Sequence, residues 1–324
     1  MIMNKAIVFM FSGQGSQFYG MGNQLFDNDL TFHKWMLKLD DIVQLNIGKS
    51  ILDELYNRKP KDRNFDRTLF THPSIFMVEY SLAQLLLSWH IQPDYVLGAS
   101  LGEFTAASVA GVINEEDTIE IILKQAEIIE RNCEGSNMLA IVYNPDLYYR
   151  NPVLFKGTEF AALNYDSHFV VSGKRKDLLR ICSFLTEQEI VYQMLPVSFG
   201  FHSSYIDAAK AEYTSLLKMK LFNKPIIGFI SCLFGNQLME IPENYFWNVV
   251  RRPIQFQKAV RHLEKAHECI YVDLGPSGTL ANFVKNNLLQ NSGSQCYSII
   301  TPFNQELKNL MKIETLFQRS IWNS

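Results

Sequence analysis

The chain has 324 residues, is 47% hydrophobic and carries a formal net charge of −3. That supplies a sizeable core, in one large domain or two, and provides no basic surface for nucleic acid. Its five cysteines stand apart with no C-x-x-C spacing, so a reducing, cytoplasmic compartment is expected and neither a disulfide frame nor a metal site is.

The first predicted element is a buried strand, Ala6-Ile7-Val8-Phe9-Met10-Phe11. It is too short for a membrane span or a signal core, and no membrane association is expected. A glycine-rich loop follows, Ser12-Gly13-Gln14-Gly15-Ser16-Gln17. It lacks the G-K-[ST] of a phosphate loop and any G-x-G-x-x-G with an acidic partner. Such a loop can instead turn a backbone N–H toward a reaction centre. Strand and helix patterns alternate up to Cys133, as in a parallel sheet flanked by helices.

Within that stretch, residues 95–97 read as a short strand and 104–110 as a small-residue helix stopped by Gly111. The next helix is capped by Asn114, with Glu115, Glu116 and Asp117 at its positive end. Ile121, Ile122, Gln125, Ile128 and Ile129 share its apolar face, so Gln125 is expected to be buried or turned to a cleft. A β-rich block comes next, with strands at 137–142, 160–163, 169–172 and 190–197 and a helix at 176–188. We expect a small α+β subdomain over 133–197, inserted into a large α/β subdomain made of 1–132 and 198–324. A ligand should lie in the cleft between them.

Between the strand at 95–97 and its helix stands Gly98-Ala99-Ser100-Leu101-Gly102-Glu103, a G-x-S-x-G turn. A serine there sits on a tight strand-to-helix turn, and the glycines admit the close approach of the two elements. Its hydroxyl is exposed, and backbone N–H groups at the helix start face any oxyanion formed beside it. A capping serine in an ordinary turn is the simpler alternative. Of the seven histidines, His202 stands after Pro196-Val197-Ser198-Phe199-Gly200-Phe201, where a strand end passes into a loop and a helix. Such junctions place side chains rigidly yet open to a cleft.

Together these motifs make the chain resemble the acyltransferase family that includes malonyl-CoA:acyl carrier protein transacylases. The resemblance rests on Gly13-Gln14-Gly15-Ser16-Gln17, Thr71-His72-Pro73, Gly98 to Glu103, Asn164 with Val170 and Gly173, Phe201-His202-Ser203, and Gly275-Pro276-Ser277-Gly278-Thr279-Leu280, in the family's order. It implies a hydrolase-like large subdomain with a ferredoxin-like small one. It also implies Ser100 as nucleophile, His202 as base, and the backbone N–H groups of Gln14 and Leu101 as the oxyanion hole. A backbone carbonyl at Asn248 or Val249 would orient the histidine. Substrate would be met by Gln125, His72, Ala99, Asn164 and Phe201. No cofactor is implied, since the phosphopantetheine arrives with the substrate on coenzyme A or on an acyl carrier protein, the implied partner.

Three departures from the family pattern bear on substrate. Malonyl-specific members carry an arginine that pairs with the malonyl carboxylate; Gln125 stands at its place, with a neutral amide. Ala99 replaces a histidine beside the nucleophile, and His72 replaces the glutamine of T-Q-P. The resemblance then points to the trans-acting acyl hydrolases of bacterial polyketide pathways, which clear acyl groups from carrier proteins and lack that arginine. A transferase moving a neutral acyl group from coenzyme A to a carrier protein uses the same residues. An idle homologue serving as an interaction module of a megasynthase is the reading of another class, and the retained Ser100 and His202 argue against it.

Overall fold

The structure, a computed structural model, describes residues 5–57 and 65–321. Its strands are β1 (Ala6–Phe11), β2 (Tyr95–Gly98), β3 (Asn137–Ile141), β4 (Thr158–Tyr165), β5 (His168–Gly173), β6 (Tyr192–Met194), β7 (Gly228–Ser231), β8 (Asn236–Leu238), β9 (Cys269–Asp273) and β10 (Gln295–Ser298). Its helices are α1 (Asn23–Asn28), α2 (Leu30–Ile47), α3 (Thr68–Ser88), α4 (Gly102–Val109), α5 (Glu115–Asn132), α6 (Asp146–Arg150), α7 (Arg175–Glu187), α8 (Lys210–Leu217), α9 (Tyr245–Arg251), α10 (Phe256–Ala266), α11 (Thr279–Lys285) and α12 (Glu306–Ile321).

The large sheet runs β10-β9-β1-β2-β7-β8, parallel throughout except for the antiparallel edge strand β8. Helices cover both faces of its centre, which is why β1 is an unbroken apolar run rather than an alternating one. The small sheet runs β4-β5-β3-β6 and is antiparallel. Its elements follow as β3-α6-β4-β5-α7-β6, the ferredoxin-like sequence. Leu178, Ile181 and Leu185 of α7 pack on Leu139, Ile141, Phe169 and Val171 of this sheet. The two layers are stitched where Ile254 pairs with β4: Leu163 N donates to Ile254 O and Ile254 N donates to Ala161 O, each at 2.9 Å.

Up to Cys133 strands and helices alternate in coarse blocks, with three helices between β1 and β2 and two helices after β2 among the described residues. Before that point the large sheet receives β1 and β2, and β7 to β10 from the second half complete it. The intervening sequence forms α1 to α3. Helix α3 is buried along nearly its whole length, so it is apolar on every side. An apolar run without period reads equally as strand or buried helix. The fourth strand of the small sheet is also shorter than expected, ending at Met194, and the chain then crosses back toward His202.

The join of β2 to α4 admits no side chain at its glycines. A Cβ on Gly102 would lie 2.0 Å from the Phe11 carbonyl oxygen, and one on Gly98 would lie 2.3 Å from the Gly102 carbonyl oxygen. Backbone cannot retreat as a flexible side chain can. Gly102→Ala should therefore cost at least ~3 kcal/mol, the upper range for overpacking. Gly20→Ala, at φ +80° but with open space around it, should cost only about 1–2 kcal/mol of backbone strain. Thermal unfolding of the two variants checks the ordering, and equal losses would contradict it.

Candidate active site

Ser100 occupies the turn from β2 into α4 with a left-handed φ of +56°, unusual for a residue with a side chain. This strained elbow lifts the hydroxyl clear of the sheet. The 12–17 loop lies across it. A Cβ on Gly13 would be 2.8 Å from the Ala99 carbonyl oxygen and 3.0 Å from Ser100 Cβ, so only glycine lets the loop approach this closely. The loop is itself tied down. Ser12 donates from its N–H (2.6 Å) and its hydroxyl (2.9 Å) to Glu79 Oε1, and Gly15 N donates to Gln17 Oε1 at 2.7 Å. Among the described residues, neither the Gln14 N–H nor the Leu101 N–H has a protein acceptor. Both are left free beside Ser100, and Leu101 stands at the positive start of α4.

His202 also has a left-handed backbone, φ +60°. Its N–H donates to Val250 O at 2.8 Å, which anchors it to the end of α9. Nδ1 donates to the Arg252 carbonyl at 2.9 Å. A carbonyl only accepts, so Nδ1 holds the proton of the neutral ring and Nε2 presents its lone pair. The Ser100 hydroxyl donates to that nitrogen at 2.8 Å. Burial lowers the His202 pKa to about 4, against the opposing pull of the Arg252 and Val249 carbonyls. At neutral pH the imidazole is therefore an uncharged acceptor, ready to take the serine proton. The orienting carbonyl expected at Asn248 or Val249 is corrected to Arg252: α9 ends at Arg251, and the extended residue that follows turns its carbonyl to the ring. The Val249 carbonyl faces the ring as a weaker neighbour, and Asn248 instead accepts from Arg252 Nε at 3.2 Å.

These groups open on a cavity of about 250 Å³ between the two sheets. Ala99, His72, Gln125, Asn164 and Phe201 all line it, so the structure gathers them around Ser100 and His202. Gln125 is buried on α5 and donates to the Tyr213 hydroxyl at 2.8 Å. His72 meets Gln14 Oε1 through Nε2 at 3.2 Å, and Gln14 Nε2 donates to Thr71 Oγ1 at 3.2 Å. Asn164 Nδ2 donates to His168 Nδ1 at 3.0 Å, and His168 also lines the cavity. Among the described residues, no lysine, arginine, aspartate or glutamate lines it, and burial lowers the pKa of His72 to about 3 and of His168 to about 4, so these histidines are neutral. Among the described residues, no group of three or more metal-ligating side chains is assembled, and no helix is long and apolar enough to cross a membrane.

Two buried carboxyls hold this geometry and carried no role in the sequence reading. Glu79 accepts from Ser12 on one oxygen and from Thr105 Oγ1 of α4 on the other (2.9 Å), so it locks the loop to the helix that follows Ser100. Glu103 accepts from Cys232 N (2.7 Å) and the Tyr245 hydroxyl (2.7 Å), which joins α4 to the end of β7 and to α9. Burial pushes the Glu103 pKa up to about 8 and that of Glu79 well above the carboxylate range. A lone acid inside the apolar run of α3 was the available signal for Glu79.

Residues 8–321 match the family described as the acyl transferase domain. The chain belongs to this family. It is 50% identical over 313 residues to the polyketide biosynthesis acyltransferase homolog PksD of Bacillus subtilis (strain 168), which covers 96% of this chain and 97% of that protein. To the polyketide biosynthesis acyltransferase homolog BaeD of Bacillus velezensis it is 45% identical, with the same coverage. A loading acyltransferase from the avermectin modular polyketide synthase superposes with a TM-score of 0.87 at 24% identity, over 95% of this chain and 99% of that one; this likeness is one of fold. As an acyl transferase domain the chain is an enzyme of acyl transfer.

The acid limb of kcat/KM reports the base of the free enzyme. Because burial depresses His202, its neutral form persists well below the ordinary histidine range. Activity on a thioester should stay flat from pH 8 down to about 5.5 and fall only near pH 4. A limb at about 6.5, the value of an unperturbed histidine, would contradict this.

Proposed function

We propose that the protein is a discrete acyl hydrolase that releases neutral acyl groups from acyl carrier protein thioesters in polyketide biosynthesis. Ser100 Oγ attacks the thioester carbonyl and passes its proton to His202 Nε2. The oxyanion is met by the free N–H groups of Gln14 and Leu101, each such donor being worth about 3 kcal/mol of barrier. The C–S bond breaks and the thiol leaves with the proton from Nε2. Water then attacks the acyl-serine, gives its proton to the same nitrogen, and the acid departs as Ser100 regains its hydrogen. Ala99, with only a methyl beside Ser100, leaves space for that water. The five cysteines, all unpaired, fit the cytoplasm.

One observation carries the substrate reading: among the described residues the cavity wall holds no lysine or arginine, and Gln125 stands where malonyl-specific relatives place arginine. A malonyl carboxylate would be buried unpaired, at a cost of several kcal/mol, or about a thousandfold in selectivity. Acetyl thioesters should accordingly be hydrolysed far faster than malonyl thioesters. Gln125→Arg should narrow that gap by supplying the bidentate partner. The measurement is kcat/KM for both thioesters, with free acid and carrier-bound acyl quantified separately. Fast malonyl transfer by the unaltered protein would defeat the hydrolase reading. Ser100→Ala and His202→Ala should each remove nearly all turnover. Because the two act as one unit, the double variant should be scarcely worse than either single one.

Carrier docking is proposed beside the cavity mouth. Arg251 is held by Asp207 (2.5 Å) and Lys174 by Glu134 (3.0 Å), so neither cation is free for a partner. Arg252 and Lys210 line one surface pocket and have no carboxylate partner among the described residues. An acidic carrier protein fits there. Lys210→Glu should raise KM for an acyl carrier protein substrate about 3- to 10-fold while sparing a small pantetheine thioester, the pattern of a rim charge. Equal losses on both substrates would rule out this docking site.

A further inference from the structure

Ser12 and Ser16 stand near the two ends of the glycine-rich loop, both buried, and no step of the reaction above uses either hydroxyl. Ser16 Oγ donates to the Gly13 carbonyl at 2.8 Å. The Ser16 N–H points at the same oxygen and closes a turn over residues 13–16, which Gly15 permits with its φ of +108°. That backbone bond is 3.4 Å long, beyond the ordinary range for an N–H to an oxygen. The hydroxyl therefore supplies the main hold on the carbonyl. Behind it, Ser16 Oγ lies 2.8 Å from Ser12 Oγ, and the Ser12 hydroxyl and N–H both donate to Glu79.

The carbonyl held in this way belongs to the same peptide as the Gln14 N–H. A trans peptide is planar, and its C=O and N–H point to opposite sides. Fixing the oxygen against Ser16 thus fixes the direction of the hydrogen on the far side. That N–H has no protein acceptor among the described residues, and the residue before it, Gly13, packs on Ala99 and Ser100. A donor free to tilt would have to reorganise as charge develops on the substrate oxygen; a donor already aimed does not.

We propose that Ser16 is a positioning residue of the acyl-transfer reaction. Its hydroxyl fixes the tilt of the Gly13–Gln14 peptide and so aims the Gln14 N–H at the thioester oxygen as that oxygen becomes negative, with Ser12 and Glu79 as its backing. The inference rests on the reading of that N–H as an oxyanion donor beside Ser100. The covalent steps are unchanged, and Ser16 acts only through this peptide.

The test measures kcat/KM for acetyl pantetheine and for its dithioester, in which sulfur replaces the carbonyl oxygen, with the full chain and with Ser16→Ala. N–H donors placed for an oxyanion favour oxygen over the larger sulfur, a weaker acceptor. The preference, divided by that of the same pair toward hydroxide in solution, therefore reports the donors alone. In Ser16→Ala the thioester kcat/KM should fall about 10- to 100-fold, the scale of a misaimed catalytic group, and the oxygen-over-sulfur preference should fall with it. Both substrates are measured on one preparation, so partial loss of folded protein cancels in the preference. Ser16→Cys, which keeps the side-chain volume but donates weakly, should lose the preference in the same way. A preference left intact in either variant, whatever the loss of rate, overturns the inference and leaves Ser16 a merely structural residue. An unaltered protein that hydrolyses the thioester without any oxygen preference overturns it too, while the hydrolase reading stands. A protein that turns over neither substrate loses the hydrolase reading and this inference together.

Discussion

The approach of α4 to the end of β1, with Gly102 against the Phe11 carbonyl, is the contact on which the site depends. There is no gap to adjust. Because α4 must sit that close, Ser100 is forced into a left-handed turn, and the Leu101 N–H emerges beside it. The same closeness brings the 12–17 loop over the elbow, where Gly13 in turn admits no side chain. The free Gln14 and Leu101 N–H groups beside Ser100 are thus a by-product of packing two backbones without side chains between them. These N–H groups are held in place by the tight contact at Gly13 and Gly102 and by the bonds of Ser12 to Glu79.

Backbone contact alone does not hold elements together, and here two buried carboxyls supply the tie. Glu79 of α3 and Glu103 of α4 tie the helix that follows Ser100 to different neighbours. The first gathers the glycine-rich loop, and the second gathers the end of β7 and Tyr245 of α9. Burial of a carboxyl is costly unless its oxygens are filled, and both are filled by N–H and O–H donors from separate elements. Removing either would leave several buried donors unpaired at once. The link from Glu103 through Tyr245 also reaches the helix whose end carries Arg252, so serine and histidine are positioned through one connected set of bonds.

Much of this was legible in the sequence where function is written in backbone requirements. A strand, a G-x-S-x-G turn and a small-residue helix can meet in only one way, and the structure sets Ser100 there, 2.8 Å from His202. Asn114 caps α5 as its type dictates, accepting from Asp117 N at 2.7 Å. The alternation expected up to Cys133 is present in coarse blocks, with α1 to α3 between β1 and β2, and α3 is apolar all round, so its own period vanishes. The carbonyl behind His202 was misplaced for a different reason. Every residue has a carbonyl, and which one faces the ring depends on where α9 ends, a boundary that composition does not mark. The tie made by Glu103 spans residues far apart in the chain, and nothing local announces it.

An orienting group made of backbone has one consequence for how this enzyme can change. A carboxylate behind a histidine can be deleted by a single codon; a carbonyl can only be displaced. The residue at 252 turns its carbonyl inward to His202 and its guanidinium outward to solvent-facing surface. The outward half is free to be rewritten while the inward half is inherited unaltered. One residue thus has two halves with different fates: substitution can reach the guanidinium but not the carbonyl that accepts from His202.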